Sequence, residues 1–288
     1  MHAATIDEEL DGLDHLEDVS DARQASLGRR LWDALWPKMA AVGLVLGFWQ
    51  FAVWREWKPR YLLASPGDVW ARLVEDAGTA EMWEAIGTTM QRSLVGFAWA
   101  LVIGASIGLV VTASRHVRSA IGSLVTGLQT MPSIAWFPLA ILLLGLTESA
   151  INFVVVLGAA PSIANGVISG IDSSPPLLRR AGRSMGARRW ALYRDFLVPA
   201  AMPSVVAGLK QGWAFAWRSL MAGELLVLIP GAQSIGSRLN FAREFSDSEG
   251  VLASMLVILV IGILMDSIVF SRLERRVLRR RGLGATAR

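Results

Sequence analysis

The sequence predicts an all-α membrane protein of six transmembrane helices, and three observations carry that prediction. Hydrophobic residues make up 53% of the 288-residue chain and charged residues only 18%, where a soluble domain carries roughly 25% charge. The apolar residues gather in windows of about 20 or more, the length that crosses the hydrocarbon of a bilayer. The arginines gather in blocks between those windows, which is the pattern of membrane topology and not of a solvated basic face for nucleic acid.

The chain opens with "TIDEELDGLDHLEDVSDARQ", an acidic stretch with few large apolar residues and neither the basic start nor the apolar core of a secretory signal. Residues 1–30 are therefore expected as a disordered tail. Apolar windows follow at about 38–55, 90–113, 119–145, 149–171, 201–229 and 250–270. Trp36, Trp49, Trp54 and Trp57 bracket the first, where amphipathic rings suit the two interfaces. Ahead of the second, "SPGDVWARLVEDAG" offers Ser65 as a cap and Pro66 as a first helical residue, which predicts a short helix near the outer surface. The transmembrane domain is thus expected over 31–275, with a basic tail over 276–288.

Orientation follows from the connections. One set holds Arg115 and Arg118, the arginines between Leu177 and Arg194, and Arg272 to Arg281; the other mixes Arg55, Lys58, Arg60, Arg72, Arg238 and Arg243 with many carboxylates. The positive-inside rule puts the first set, and both termini, in the cytoplasm.

Several chemistries are excluded. There is no cysteine, so neither a disulfide nor a thiolate metal site is possible, and His2, His15 and His116 lie far apart in sequence, in a tail and a short loop, which argues against a histidine metal site. The three lysines, Lys38, Lys58 and Lys210, stand in no Gly-Lys-Ser/Thr motif, so the chain cannot bind ATP through a P-loop. No adjacent Ser/His or paired aspartates point to an intramembrane enzyme, and no catalytic residue is nominated.

Two spans carry the candidate pathway residues. The third contains Gln129, Pro132, Trp136 and Pro138, and its prolines predict a bend that either lines a pathway or serves packing alone. The fifth carries Lys210, Arg218 and Glu224 with Gln211 and Trp217. At about 100° per residue Lys210, Trp217 and Glu224 share a stripe, flanked by Gln211 and Arg218. Gly208, Gly212, Ser219 and Gly223 fall opposite, a surface another helix can approach closely. Lys210 either snorkels to the inner interface or serves transport; Arg218 and Glu224 are either structural ions or pathway groups. A cationic Arg218 suits an anionic solute.

The connection over 172–199 is the most informative. Ser174, Pro175 and Pro176 read as a cap and first turn. Leu177, Ala181 and Met185 then recur at helical spacing beside Leu178, with Arg179, Arg180 and Arg183 on the other faces. Gly186 offers a C-cap, and Trp190, Tyr193, Phe196 and Leu197 form a second apolar stripe leading to Pro199. Anchoring to lipid requires neither the glycine nor the second stripe; a helix that docks on another protein does.

This helix, glycine, helix pattern resembles the cytoplasmic EAA loop of ABC importer permeases. Arg180, Ala181 and Gly182 align with the Glu-Ala-Ala triplet, Gly186 with its glycine, and Phe196, Val198 and Pro199 with its ending. Arg180 stands where the family has glutamate, and Gly182 where it has alanine. "LLASPGDVWARL", "TTMQRSLVGF", "LQTMPSIAWFPLAILLLGLTES" and "GLKQGWAFAWRSLMAGELL" further resemble the sulfonate, taurine, nitrate and bicarbonate branch, with aliphatic-sulfonate permeases nearest.

The resemblance implies a type I importer permease fold with a cytoplasmic coupling helix, in a bacterial inner membrane. It implies a second copy of the chain, two cytoplasmic ATPase subunits that hold ATP and Mg, and an external substrate-binding protein, with no cofactor in this chain. Coupling to the ATPase then falls to Leu177, Leu178, Arg179, Arg180, Ala181, Gly182, Arg183, Met185, Gly186, Ala187, Arg188 and Arg189. The expected cargo is a small anion, an aliphatic sulfonate first, with taurine, nitrate, bicarbonate or an aromatic acid as alternatives. The competing reading is an ion-coupled secondary transporter using Glu224 and Asp266, which has no need of a docking helix for an ATPase.

Overall fold

The computed structural model describes residues 27–188 and 190–280, and the chain divides into two compact units, Met1–Pro66 and Gly67–Arg288. Of the expected tails, residues 1–26 and 281–288 lie outside the described residues. Leu27 to Arg30, assigned to the acidic tail by sequence, are helical instead. Leu and Arg are strong helix formers, and a nucleated helix extends at one hydrogen bond per added residue.

In the first unit, α1 (Leu27–Trp54) runs as one helix through Pro37. Met39, Val42, Val45 and Phe48 are exposed along it, the surface a membrane helix presents to lipid. The chain turns at Glu56, whose φ is 49°. Trp49 closes the turn by donating its indole N–H to the Ala64 carbonyl at 3.0 Å.

The second unit takes up the chain within α2 (Pro66–Ala77), one residue into that helix, and holds α3 (Ala80–Ala113), α4 (Arg115–Thr130), α5 (Phe137–Leu144) and α6 (Glu148–Asp172). It continues with α7 (Pro176–Ser184), α8 (Val198–Leu226), α9 (Ile235–Glu244), α10 (Ser248–Met265) and α11 (Ser271–Arg280). No strand occurs among the described residues. Short polar side chains fix the helix starts: Thr79, Ser114, Thr147 and Asp247 accept the N–H groups of Met82, Val117, Ala150 and Gly250. Each satisfies a donor that the first turn leaves free.

Helix α6 is the core, packed between α3 and α8, with Ile151, Val154, Val155, Ala159 and Ile163 fully or almost fully buried. Small residues set the spacing on the α8 side. A Cβ on Gly166 would fall 2.8 Å from Gly208 Cα, and one on Gly208 would fall 2.7 Å from Gly166 Cα. The two backbones therefore touch, the contact that small-residue stripes permit between membrane helices.

The third apolar window is not one helix. Met131 is extended (φ −76°, ψ 129°), a short 3₁₀ turn occupies Ser133–Trp136, and the segments on either side are bent by 103°. Pro132 lacks the N–H to continue α4 and forces Met131 out of the helical region. The expected span over 119–145 is thus a broken one. Single helices long and apolar enough to cross a membrane cover the second, fourth and sixth windows, at Ala80–Ala113, Glu148–Asp172 and Ser248–Arg279. The first and fifth windows overlap α1 and α8.

Two helices carry π-helical stretches, at Tyr193–Leu197 leading into α8 and at Asp266–Phe270 between α10 and α11. Such stretches are rare and tend to mark functional segments.

Candidate functional site

The loop between α6 and α8 folds into a compact unit of α7, a glycine turn and a short helical stretch. Pro175, not Ser174, is the N-cap of α7; the buried Ser174 hydroxyl donates instead to the Gly170 carbonyl at 3.0 Å. Ser174 thus ends α6 and does not start α7. Arg179 does the same from α7, donating from Nη2 to the Ile171 carbonyl at 2.9 Å. A basic side chain on the last carbonyls of a helix also meets the negative end of its dipole.

Gly182 lets α7 lie flat, because a Cβ there would meet Leu192 Cδ1 at 2.7 Å and the Phe196 ring at 3.3 Å. Gly186 ends the helix at φ +80°, and the Ala187 N–H returns to the Gly182 carbonyl at 2.9 Å. Only glycine takes that conformation without strain. Leu178 and Ala181 are half-buried beneath α7, while Leu177, Arg180, Arg183 and Met185 are exposed, as is Arg188 beyond the helix. Arg189 lies outside the described residues.

The second stripe splits. Leu192 and Leu197 are buried with Val167, Ile171 and Ala201, and Phe196 packs on them. The Tyr193 hydroxyl donates to the Thr112 carbonyl at 3.0 Å, which ties the loop to α3. Trp190 is exposed. The expected second helix is a single α turn, Trp190–Leu192, followed by the π stretch.

At the break in the third span lies a cavity of about 320 Å³, lined by Gln129, Pro132, Ser133, Gly158, Phe215 and Arg218 among others. Arg218 Nε donates to the Ala214 carbonyl at 3.1 Å, and its guanidinium lies 4.6 Å from the centre of the Phe215 ring. Among the described residues Arg218 has no carboxylate partner. Gln211 is exposed on the same face, seven residues earlier. Gln129 reaches the cavity, but its amide is committed: Nε2 donates to Ser162 Oγ at 3.1 Å and Oε1 accepts from the Asn165 amide. It straps the broken helix to α6.

Three sequence-nominated pathway residues sit elsewhere. Trp136 packs against the apolar core. Trp217 is buried, its ring stacked on Trp213 at 6.3 Å between centroids. Glu224 is fully buried and accepts hydrogen bonds from Arg92 Nη1 at 3.1 Å, Thr89 Oγ1 at 3.0 Å and the Gly236 N–H at 3.0 Å. A 100° period puts Trp217 and Glu224 on one stripe with Lys210. In the fold Trp217 and Glu224 face the bundle, Lys210 is half-exposed, and Gln211 and Arg218 on the flank are exposed.

Arg92 is the residue the sequence reading left without a role. Its Nε also donates to Glu148 Oε2 at 2.8 Å, so one guanidinium joins α3 to the start of α6 and the end of α8. Its presence in an apolar window was the available signal, since a charge there needs a partner. Lys210 Nζ lies 3.4 Å from Asp266 Oδ1 and 3.8 Å from Glu274 Oε2, half-exposed.

A family model described as a binding-protein-dependent transport system inner membrane component matches residues 88–279. The taurine transport system permease protein TauC of Escherichia coli K12 is 26% identical over 244 residues, 80% of this chain and 87% of that protein. The putative aliphatic sulfonates transport permease protein SsuC of the same organism is 29% identical over 230 residues, 80% and 86% of the two chains. Among solved structures, an inward-facing MetNI methionine ABC transporter matches with a TM-score of 0.58 at 20% identity, covering 68% of this chain and 97% of that one.

Proposed function

The chain belongs to the binding-protein-dependent transport system inner membrane components, and from that premise we propose that it imports a small organic anion, an aliphatic sulfonate first, as a homodimer. It is a permease subunit of an ABC importer in the inner membrane, not an enzyme, and importers of this kind work with an ATPase and a substrate-binding protein. ATP and Mg are assigned to the ATPase chain, in keeping with the lack of a P-loop lysine here.

The observation that carries the anion reading is Arg218 at the cavity beside the broken span. A guanidinium without a carboxylate partner is costly at membrane depth and belongs in a wet cavity. There it offers a paired hydrogen-bond fork to a sulfonate or carboxylate. Two exposed small residues beside it, Thr130 of the cavity lining and Ala214 one turn earlier on α8, leave room for a passing solute. The taurine and sulfonate relatives favour an organic sulfonate as cargo; nitrate, bicarbonate and aromatic acids are the alternatives.

Coupling is assigned to α7. Leu177, Arg180 and Met185 project outward for a partner, while Arg179 and Gly182 hold the helix to α6 and to the π stretch that leads into α8. Displacement of α7 by an ATPase would reach the bundle through those rigid contacts. The arginine distribution supports a cytoplasmic side for α7 and both termini.

The test is uptake into vesicles that hold the chain with its ATPase and binding protein. ATP-dependent uptake of an alkanesulfonate, competed by other organic anions, is expected. Equal competition by neutral solutes would overturn the anion reading.

A further inference from the structure

Helix α11 sorts its residues by charge. Arg272, Arg275, Arg276 and Arg279 recur at three- and four-residue spacing and are exposed, whereas Leu273, Glu274, Val277 and Leu278 are half-buried on the other side. The inner side is occupied: Glu274 pairs with Lys210 of α8, and Val277 lines a cavity with Leu178 and Phe196. The one carboxylate of α11 is therefore turned inward. Among the described residues none of the four arginines has a carboxylate partner.

The same outer face is apolar one turn earlier, where Ile268 and Val269 are exposed four and three residues before Arg272. Helix α11 continues the apolar Ser248–Arg279 helix that is long enough to cross a membrane. A face that changes from apolar to wholly cationic within one turn fits the passage from hydrocarbon to headgroups. At 1.5 Å per residue, Arg272 to Arg279 covers about 10 Å. The headgroup layer on each side of the hydrocarbon is about 5–7 Å thick, so most of the stripe falls within it.

We propose that this arginine stripe binds the phosphates of anionic phospholipids and makes the permease prefer an anionic inner leaflet. The proposal rests on the reading that α11 leaves the membrane on the cytoplasmic side. Guanidinium groups match phosphate oxygens bidentately. A row of them with its own carboxylate turned away, continuous with a lipid-facing surface, fits headgroups better than a globular partner, which would also have to cover Ile268 and Val269.

The test uses the full chain with its ATPase in neutral detergent, titrated with phosphatidylglycerol or phosphatidylcholine, with bound lipid counted by native mass spectrometry. The wild type is expected to prefer phosphatidylglycerol. Each arginine neutralised (R272Q, R275Q, R276Q, R279Q) lowers that affinity about fivefold, and the fourfold variant loses the preference. A fourfold lysine variant keeps it, which separates charge from misfolding. An unchanged preference in the fourfold glutamine variant overturns the proposal. So does loss of ATPase co-purification with lipid preference intact, because the stripe is then a protein dock. Lipid counting needs no transport, so it stands even where uptake of the expected solute fails.

Discussion

Arg92 and Glu224, 132 residues apart in sequence, meet at 3.1 Å between Nη1 and Oε1 inside the bundle. Around them Thr89 and the Gly236 N–H complete the carboxylate's bonding, and Glu148 takes the remaining side of the guanidinium. Four segments, α3, α6, α8 and the start of α9, are joined through two side chains. Removing Arg92 would leave the buried Glu224 charge uncompensated, at a cost of about 3–5 kcal/mol; removing Glu224 leaves Arg92 paired with Glu148 but strips the buried Thr89 hydroxyl and the Gly236 N–H of their acceptor, at about 1–3 kcal/mol for each group left unsatisfied. Glu224→Ala is therefore expected to lower the thermal midpoint in detergent sharply. Glu224→Gln, which still accepts from Thr89 and Gly236, should lie between it and wild type.

The half-exposed ion pair near the middle of α8 should behave differently. Lys210 is 3.4 Å from Asp266 with both side chains partly in solvent, and such pairs contribute about 0–1 kcal/mol. Lys210→Ala is expected to shift the midpoint much less than Glu224→Ala. An equal shift would mean that the inner pair is dry and structural.

Arg218 should separate transport from stability. It is exposed and bonded only to its own helix and a neighbouring ring, so Arg218→Gln should leave the thermal midpoint within about 0.5 kcal/mol of wild type, as for other surface changes. Uptake of an organic anion in vesicles should fall by roughly tenfold or more, the worth of a charge-assisted hydrogen bond. Unaltered uptake would remove Arg218 from the pathway.

Gly186 sits at φ +80° with open space around its missing Cβ, so conformation alone opposes a side chain there. Gly186→Val should cost about 1–2 kcal/mol locally and displace the end of α7. Stimulation of the partner ATPase should drop while the spans remain folded by circular dichroism. Arg180→Glu, at an exposed position, should not alter folding and reads directly whether the partner's groove is acidic.

Gly208 faces Gly166 backbone to backbone. Gly208→Leu is expected to abolish folded protein by size-exclusion profile, since neither backbone can give way. Gly208→Ala should cost about 1–3 kcal/mol, as overpacking does.

The helical membrane class was legible in the sequence because a lipid-spanning window must be apolar for about 20 residues whatever it packs against. The helix that ends at Gly186 was legible too, through the glycine and the spacing of Leu178 and Ala181. The break at Pro132 was foreseeable as a bend, but not its 103°, which depends on how α5 folds back onto α6. The role of Glu224 was not legible, because a helical period gives an angle around α8 without saying which angle faces the core.

What the sequence determined by itself was local: the apolar helical windows and the turn at Gly186, each a property of one segment in its surroundings. What only the tertiary structure decided was pairing. Arg92 takes Glu224, Lys210 takes Asp266, and Gln129 takes Ser162 and Asn165, which leaves Arg218 facing a cavity without a carboxylate. A buried charge must find a partner in three dimensions, and which charge is left without a carboxylate is known only once the others are paired.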